Sequence, residues 1–163
     1  MRLLGGAAIA LAAGLSAAAA ASARAQDCGV SLPIPAFGGE PLTIASQKGP
    51  VRFKVEVAAT EAQQEHGLMC RKSLGRDRGM LYVFSDRRPV AFWMKDTLVS
   101  LDVLFIDAGG VIFDIAANAK PQSLDPIRSG AEVAAVLEIN GGEAEALHIK
   151  VGDRVQSRSL PHD

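Results

Sequence analysis

Six residues, Phe92-Trp93-Met94-Lys95-Asp96-Thr97, stand just ahead of the apolar run Leu101-Asp102-Val103-Leu104-Phe105-Ile106, and together they hold the only Trp of the chain. Two carboxylates flanking one turn, Asp96 and Asp102, are the residue types an acid and base pair needs, since proximity splits their pKa values. Lys95 or Arg71 could then stabilise a developing anion. The same residues admit a second chemistry. In an extended strand Phe92, Met94 and Asp96 point one way and Trp93 and Lys95 the other. With Phe92 and Met94 in the core, Trp93 would stack a ligand and Lys95 would pair an anion. The reverse assignment, with Trp93 inside, fits the pattern as well.

Asp102 shares a strand face with Leu104 and Ile106, so its carboxylate must be paired or lie near a strand end. Lys95, Arg71 or backbone amides of the turn 96–100 could satisfy it, which would make it a clasp between strands. Glu138, inside Val136-Leu137-Glu138-Ile139, invites the same two readings.

Other chemistries lack their parts. There is no His-Glu-x-x-His helix, phosphate loop, Gly-x-Ser-x-Gly elbow, Cys-x-x-Cys or Ser-x-x-Lys. The three imidazoles, His66, His148 and His162, are too widely spaced to predict a zinc site, so no metal or other cofactor is expected. Cys70 follows His66 by four residues, but Gly67 ends the helix between them, so the two side chains need not share a face and a thiol held in a disulfide cannot act as a nucleophile. His66 itself is expected at the C-terminus of a short helix, where the dipole favours a protonated imidazole.

The elements that must position these groups are mostly strands. Residues 42–46 and 51–58 read as strands around a turn at 47–50, the second alternating Val51, Phe53, Val55 and Val57 with Arg52, Lys54 and Glu56. Thr60 with Gln63 is a capping box and Gly67 a stop, predicting a helix over 61–66. Strands are expected at 79–84 and 90–94, divided by a charged turn at 85–89. A hairpin follows, 101–107 and 111–117 around Ala108-Gly109-Gly110. A strand at 133–139, a short helix at 142–147 and a strand at 154–158 complete a mainly β, β-rich α+β domain. Its antiparallel strands would curl into a barrel-like or sandwich sheet with two short helices.

The ends suggest export. Arg2, an uncharged run to Ala23 and the small-x-small Ala23-Arg24-Ala25 fit a signal peptide over 1–25. The run approaches the roughly 20 residues of a spanning helix, so an N-terminal anchor is the alternative. It is disfavoured because the strongly apolar part ends near Leu15 and the remainder is Ala and Ser. The mature chain divides into an extended arm over 26–40, one domain over 41–158 and a tail over 159–163. In an oxidising compartment Cys28 and Cys70 are expected to form a disulfide that pins the arm, stabilising by roughly 4 kcal/mol. With 17 basic and 18 acidic side chains intermixed, a nucleic-acid partner has no electrostatic support.

The chain resembles the domain-of-unknown-function (DUF) family 192 in Gly67-Leu68-Met69 with Arg71, Gly79-Met80-Leu81 with Phe84, and Phe92-Trp93-Met94-Lys95 with Thr97. Leu101-Asp102 with Phe105-Ile106, Leu137-Glu138 and Gly152-Asp153 complete the likeness. The resemblance implies a small, mostly β domain that often follows a signal peptide, with no established activity, substrate or cofactor. This chain departs from that pattern twice: Asp96 stands where the family usually has Asn, and Ser100 where it usually has Pro.

These readings converge on an exported small domain, periplasmic or secreted, that binds a small molecule or an envelope protein and has no stable membrane insertion once the signal is removed. Its recognition surface would be Trp93, Lys95, Asp96, Asp102 and Arg71. The alternatives are a small hydrolase or isomerase using Asp96 and Asp102, and a structural component of an envelope assembly.

Overall fold

A computed structural model describes residues 35–160. The signal segment and Cys28, one end of the expected disulfide, lie outside the described residues. Among the described residues seven strands form: β1 (Gly38–Ser46), β2 (Gly49–Ala58), β3 (Arg78–Phe92), β4 (Leu101–Ile106), β5 (Ile112–Ala119), β6 (Ile127–Asn140) and β7 (Arg154–Ser157). The helices are α1 (Glu61–His66) and α2 (Glu143–Ala146). The strands make one sheet, in the order β5-β4-β6-β3-β2-β1-β7, that curls into a half-barrel. At one end its two edges meet, where Val111 bridges to Arg154.

Local chemistry accounts for the strand connections. The α1 capping box forms as its residues predict: Thr60 Oγ1 accepts from the Gln63 N–H at 3.3 Å, and Gln63 Oε1 accepts from the Thr60 N–H at 3.0 Å. This helix carries the chain across to β3, which lies parallel to β2, whereas the other strand neighbours are antiparallel.

The expected turn at 85–89 is not a turn. β3 runs through it, and its register against β6 shifts between Val83 and Arg88 and again between Pro89 and Ala91. Bulges absorb the extra charged residues without reversing the chain, and they tolerate Pro89 within a strand. β6 correspondingly starts at Ile127, well before the expected 133, because its first residues pair with the far half of β3. Residues on both sides of 41–158 take part in the fold. Gly38, Gly39 and Glu40 already pair in β1, and Leu160 is buried in the core. The Glu40 carboxylate ties these ends together, accepting from the Ser157 hydroxyl and from the Ser159 N–H at 3.1 Å.

Every residue of β4 is buried. Its two faces enter different cores, as period-two alternation requires. Leu104 and Ile106 join Leu42, Phe53, Leu81 and Leu137, while Val103 and Phe105 join Met80, Tyr82, Met94 and Val136.

Asp102 is fully buried on the first of these faces. Its Oδ1 accepts from the N–H groups of Asn118 at 2.7 Å and Gly142 at 2.9 Å, and its Oδ2 from Ala144 N–H at 2.9 Å. The clasp therefore exists, but its donors are not Lys95, Arg71 or the 96–100 turn. They are amides of the β5 end and the α2 start, which lie beside β4 only after the sheet has assembled. Removing the acceptor would orphan buried donors at about 1–3 kcal/mol each. Asp102→Ala is expected to destabilise by at least about 3 kcal/mol in chemical denaturation. Asp102→Asn should cost less, because one oxygen survives to serve two of the three amides.

Candidate functional site

The described residues Gln64–Met69, β3 from Tyr82 onward, the loop 93–97 and Glu138 of β6 enclose a cleft of about 580 Å³. Its floor comes from the sheet. Met80 and Val103 flank Glu138 in the strand registry on either side, so a carboxyl occupies a position otherwise built from apolar side chains. Gly79 is what lets β3 approach β6 so closely here, since a Cβ would lie 2.6 Å from the Glu138 carbonyl oxygen. Among the described residues Glu138 makes one side-chain hydrogen bond, accepting at Oε2 from the Tyr82 hydroxyl at 2.8 Å.

Tyr82 is fixed in turn by the end of α1. Gly67 adopts φ 50°, and a Cβ at that position would lie 2.3 Å from the Tyr82 oxygen. Only glycine meets both conditions. Phe92 packs edge-on to the Tyr82 ring, 4.9 Å between centroids. The wall continues through two left-handed residues joined backbone to backbone: Cys70, at φ 65°, donates its N–H to the carbonyl of Asp96, at φ 54°, over 2.9 Å. Asn and Asp tolerate that backbone region better than other side chains, which explains in conformational terms how Asp96 can stand where the family pattern has Asn.

Burial pushes the Glu138 carboxyl up to about 7, against the opposing pull of the Tyr82 hydrogen bond. Tyr82 is held well above the ordinary phenol range, first by burial and then by Glu138. His66 is shifted down by burial and then by the Arg71 guanidinium, and its Nδ1 is buried with no hydrogen-bond partner among the described residues. The expectation that the helix end favours a protonated imidazole is therefore corrected: the His66 ring is 4% exposed, packs near Phe37, and is disfavoured in its charged form. Desolvation outweighs the dipole of so short a helix. Of these three buried polar groups, Glu138 is the one placed to change ionisation around neutrality.

The residues singled out from sequence separate into two sets. Trp93, 56% exposed, Lys95 and Asp96 line the mouth of this cleft, and Lys95 lies over the Trp93 ring with Nζ 5.9 Å from the centroid. Met94 is buried, so the assignment with Trp93 facing outward is the one adopted. Arg71 and Asp102 do not line it. Arg71 makes a bidentate pair with Glu56, both contacts at 2.6 Å, beside a second cleft. Asp102 is enclosed by its three amides, so Asp96 and Asp102 do not share a cleft. Tyr82, Phe84, Arg88 and His66 were not anticipated as a site. For Glu138 the signal was present, a carboxylate in an apolar strand, but its partners depend on strand registry. Among the described residues no cluster of His, Cys, Asp and Glu could hold a metal ion.

Because the folded-state pKa of Glu138 lies above the unfolded value of 4.5, its stabilising protonated form is fully present at low pH and is lost as pH rises through about 7. Compared with Glu138→Gln, the wild type should lose on the order of 3 kcal/mol between pH 4 and pH 8. Paired urea titrations across that range measure the difference. They also cancel the opposite contribution of His66, whose lowered pKa costs stability at acid pH.

The model of the uncharacterised family DUF192, COG1430, matches residues 43–157. A solved structure from Sinorhizobium meliloti 1021, described as a "putative transcription regulator", is 38% identical with a TM-score of 0.75, covering 77% of this chain and 98% of that one. A protein of unknown function from Novosphingobium aromaticivorans is also 38% identical, with a TM-score of 0.73, covering 77% of this chain and 89% of its own. Among curated proteins none matches. On the extent of the family match and the identity to both structures, the chain belongs to the DUF192 family.

Proposed function

We propose that the protein is an exported, periplasmic or secreted domain that binds a small molecule in the cleft between α1, β3 and β6. Trp93, Lys95 and Asp96 form the mouth and Glu138 with Tyr82 the floor. One observation carries this reading: the only Trp of the chain is exposed at the entrance of a cleft whose buried carboxyl has a single side-chain hydrogen bond among the described residues. Cavities of this size with a few convergent polar groups suit small ligands. Export rests on the leader read in residues 1–25, and a Cys28–Cys70 disulfide would anchor the arm beside the cleft wall. Arg71 and Asp102 serve as supports, through Glu56 and through the amides around α2.

Hydrolysis or isomerisation by Asp96 with Asp102 loses its geometric basis, because Asp102 is enclosed. The regulator description of the Sinorhizobium relative raises nucleic acid as a partner for that protein. Here the nearly balanced formal charge of −1 gives such a partner little to bind.

Emission from Trp93 reports on this cleft without labelling. A library of small cations, anions and neutral compounds screened against the mature protein should yield a ligand that changes the emission saturably and raises Tm. Binding followed by Tm should weaken several-fold in Trp93→Ala, as loss of an aromatic contact of about 1 kcal/mol implies. If no compound of any class does so, the binding reading fails and an envelope-assembly role takes its place.

A further inference from the structure

Four aromatic residues, Tyr82, Phe84, Phe92 and Trp93, line the same cleft as the Glu138 carboxyl. Two of these rings already hold cations from the chain: Lys95 lies over Trp93 and the Arg88 guanidinium over Phe84, at 5.9 and 5.3 Å from the ring centroids. Ring faces in this cleft therefore suit positive charge, as the aromatic quadrupole dictates. Among the described residues Glu138 has no such companion. The ion pairs among the described residues are Arg71–Glu56, Arg78–Asp77 and Arg158–Glu40, so no Lys or Arg neutralises the buried carboxylate. A buried carboxylate without a counter-ion is costly, and a ligand can supply what the protein does not.

We infer that the cleft selects a small organic cation, an amine or alkylated ammonium, that seats its charge among the aromatic rings as the counter-ion of Glu138. The inference rests on the small-molecule reading above and adds the class of ligand. An anionic ligand would meet the carboxylate with like charge and would require it to be protonated. A cationic one requires it ionised, so binding near neutrality releases a proton.

Groups facing Glu138 from the surrounding elements bear on this coupling. β3 contributes the neutral Tyr82 hydroxyl at the floor and Arg88 at the rim. α1 contributes Glu65 and His66, whose pKa is lowered by burial and then by the neighbouring Arg71 guanidinium, which also acts on Tyr82. The loop 93–97 contributes Lys95 and Asp96. β4 places the uncharged Val103 opposite Glu138, its own carboxylate Asp102 being on the other face.

Choline is the probe, because its quaternary nitrogen has no proton to exchange, and 3,3-dimethyl-1-butanol is its uncharged isostere. Titrations of the mature protein followed by Trp93 emission should show saturable choline binding, with the isostere clearly weaker. From the ionised fraction of a carboxyl near 7, affinity should be roughly thirtyfold higher at pH 8 than at pH 5.5. In Glu138→Gln the affinity at pH 8 should fall and most of the pH dependence should vanish. Should that variant fail to fold, calorimetry of the wild type at pH 6, in buffers of different ionisation enthalpy, should count close to one proton released per choline. Choline binding no tighter than the isostere, tighter at low pH, or without proton release overturns the inference. So does a failure of choline to bind while an anionic or neutral compound quenches Trp93, and that result leaves the small-molecule reading standing. Absence of any ligand from every class overturns both.

Discussion

The hydrogen bond from Tyr82 to Glu138 is the point on which the cleft is organised. It joins β3 to β6 side chain to side chain on a face otherwise apolar, and the elements around it are shaped to permit it. Gly79 brings the two strands together, Gly67 leaves room for the phenol, and Phe92 braces the ring. The capped helix α1 sets where Gly67 falls, so a local sequence signal over Thr60-Glu61-Ala62-Gln63 has a consequence at a carboxyl far along the chain.

Asp102 and Glu138 show how one kind of sequence anomaly acquires two meanings. Both are carboxylates inside apolar strands, and β4 and β6 are neighbours in which Asp102 pairs with Ile139 and Glu138 with Val103. Adjacent positions in the registry send the two side chains to opposite faces of the sheet. Asp102 meets backbone amides at the end of β5 and the start of α2, and three of them, Asn118, Gly142 and Ala144, satisfy it. Glu138 meets one phenol and an open cleft. Satisfaction by amides makes a carboxylate structural, whereas incomplete satisfaction beside a cleft leaves chemistry available.

Much of the fold was legible because its signals are local. Alternation in residues 51–58, the capping box before Gly67 and the Gly109-Gly110 reversal each specify their element without reference to distant residues. The extent of β3 was not legible, because Asp86, Arg87, Arg88 and Pro89 have the composition of a turn. Only pairing with β6 reveals that Asp86 and Arg87 fall in an irregular stretch of the strand while Arg88 and Pro89 pair with Val133 and Glu132. At the site, Trp93 and Lys95 were visible as unusual residues, but the strand pattern alone left open which face was wet. Arg71 was grouped with them as a cation able to pair Asp102 or a developing anion, and its bidentate contact with Glu56 is visible only in the assembled fold. His66 had an adequate local explanation as a helix-end cation, which burial by the assembled cleft removes.

The ionisation of Glu138 decides between a floor poised to change charge and an ordinary carboxylate. Selective ¹³C labelling of glutamate, with the Glu138 carboxyl resonance assigned by its absence in Glu138→Gln, would follow that titration in the ligand-free protein. The structure predicts a midpoint of about 7, and a midpoint at the ordinary value of 4.5 would contradict the account.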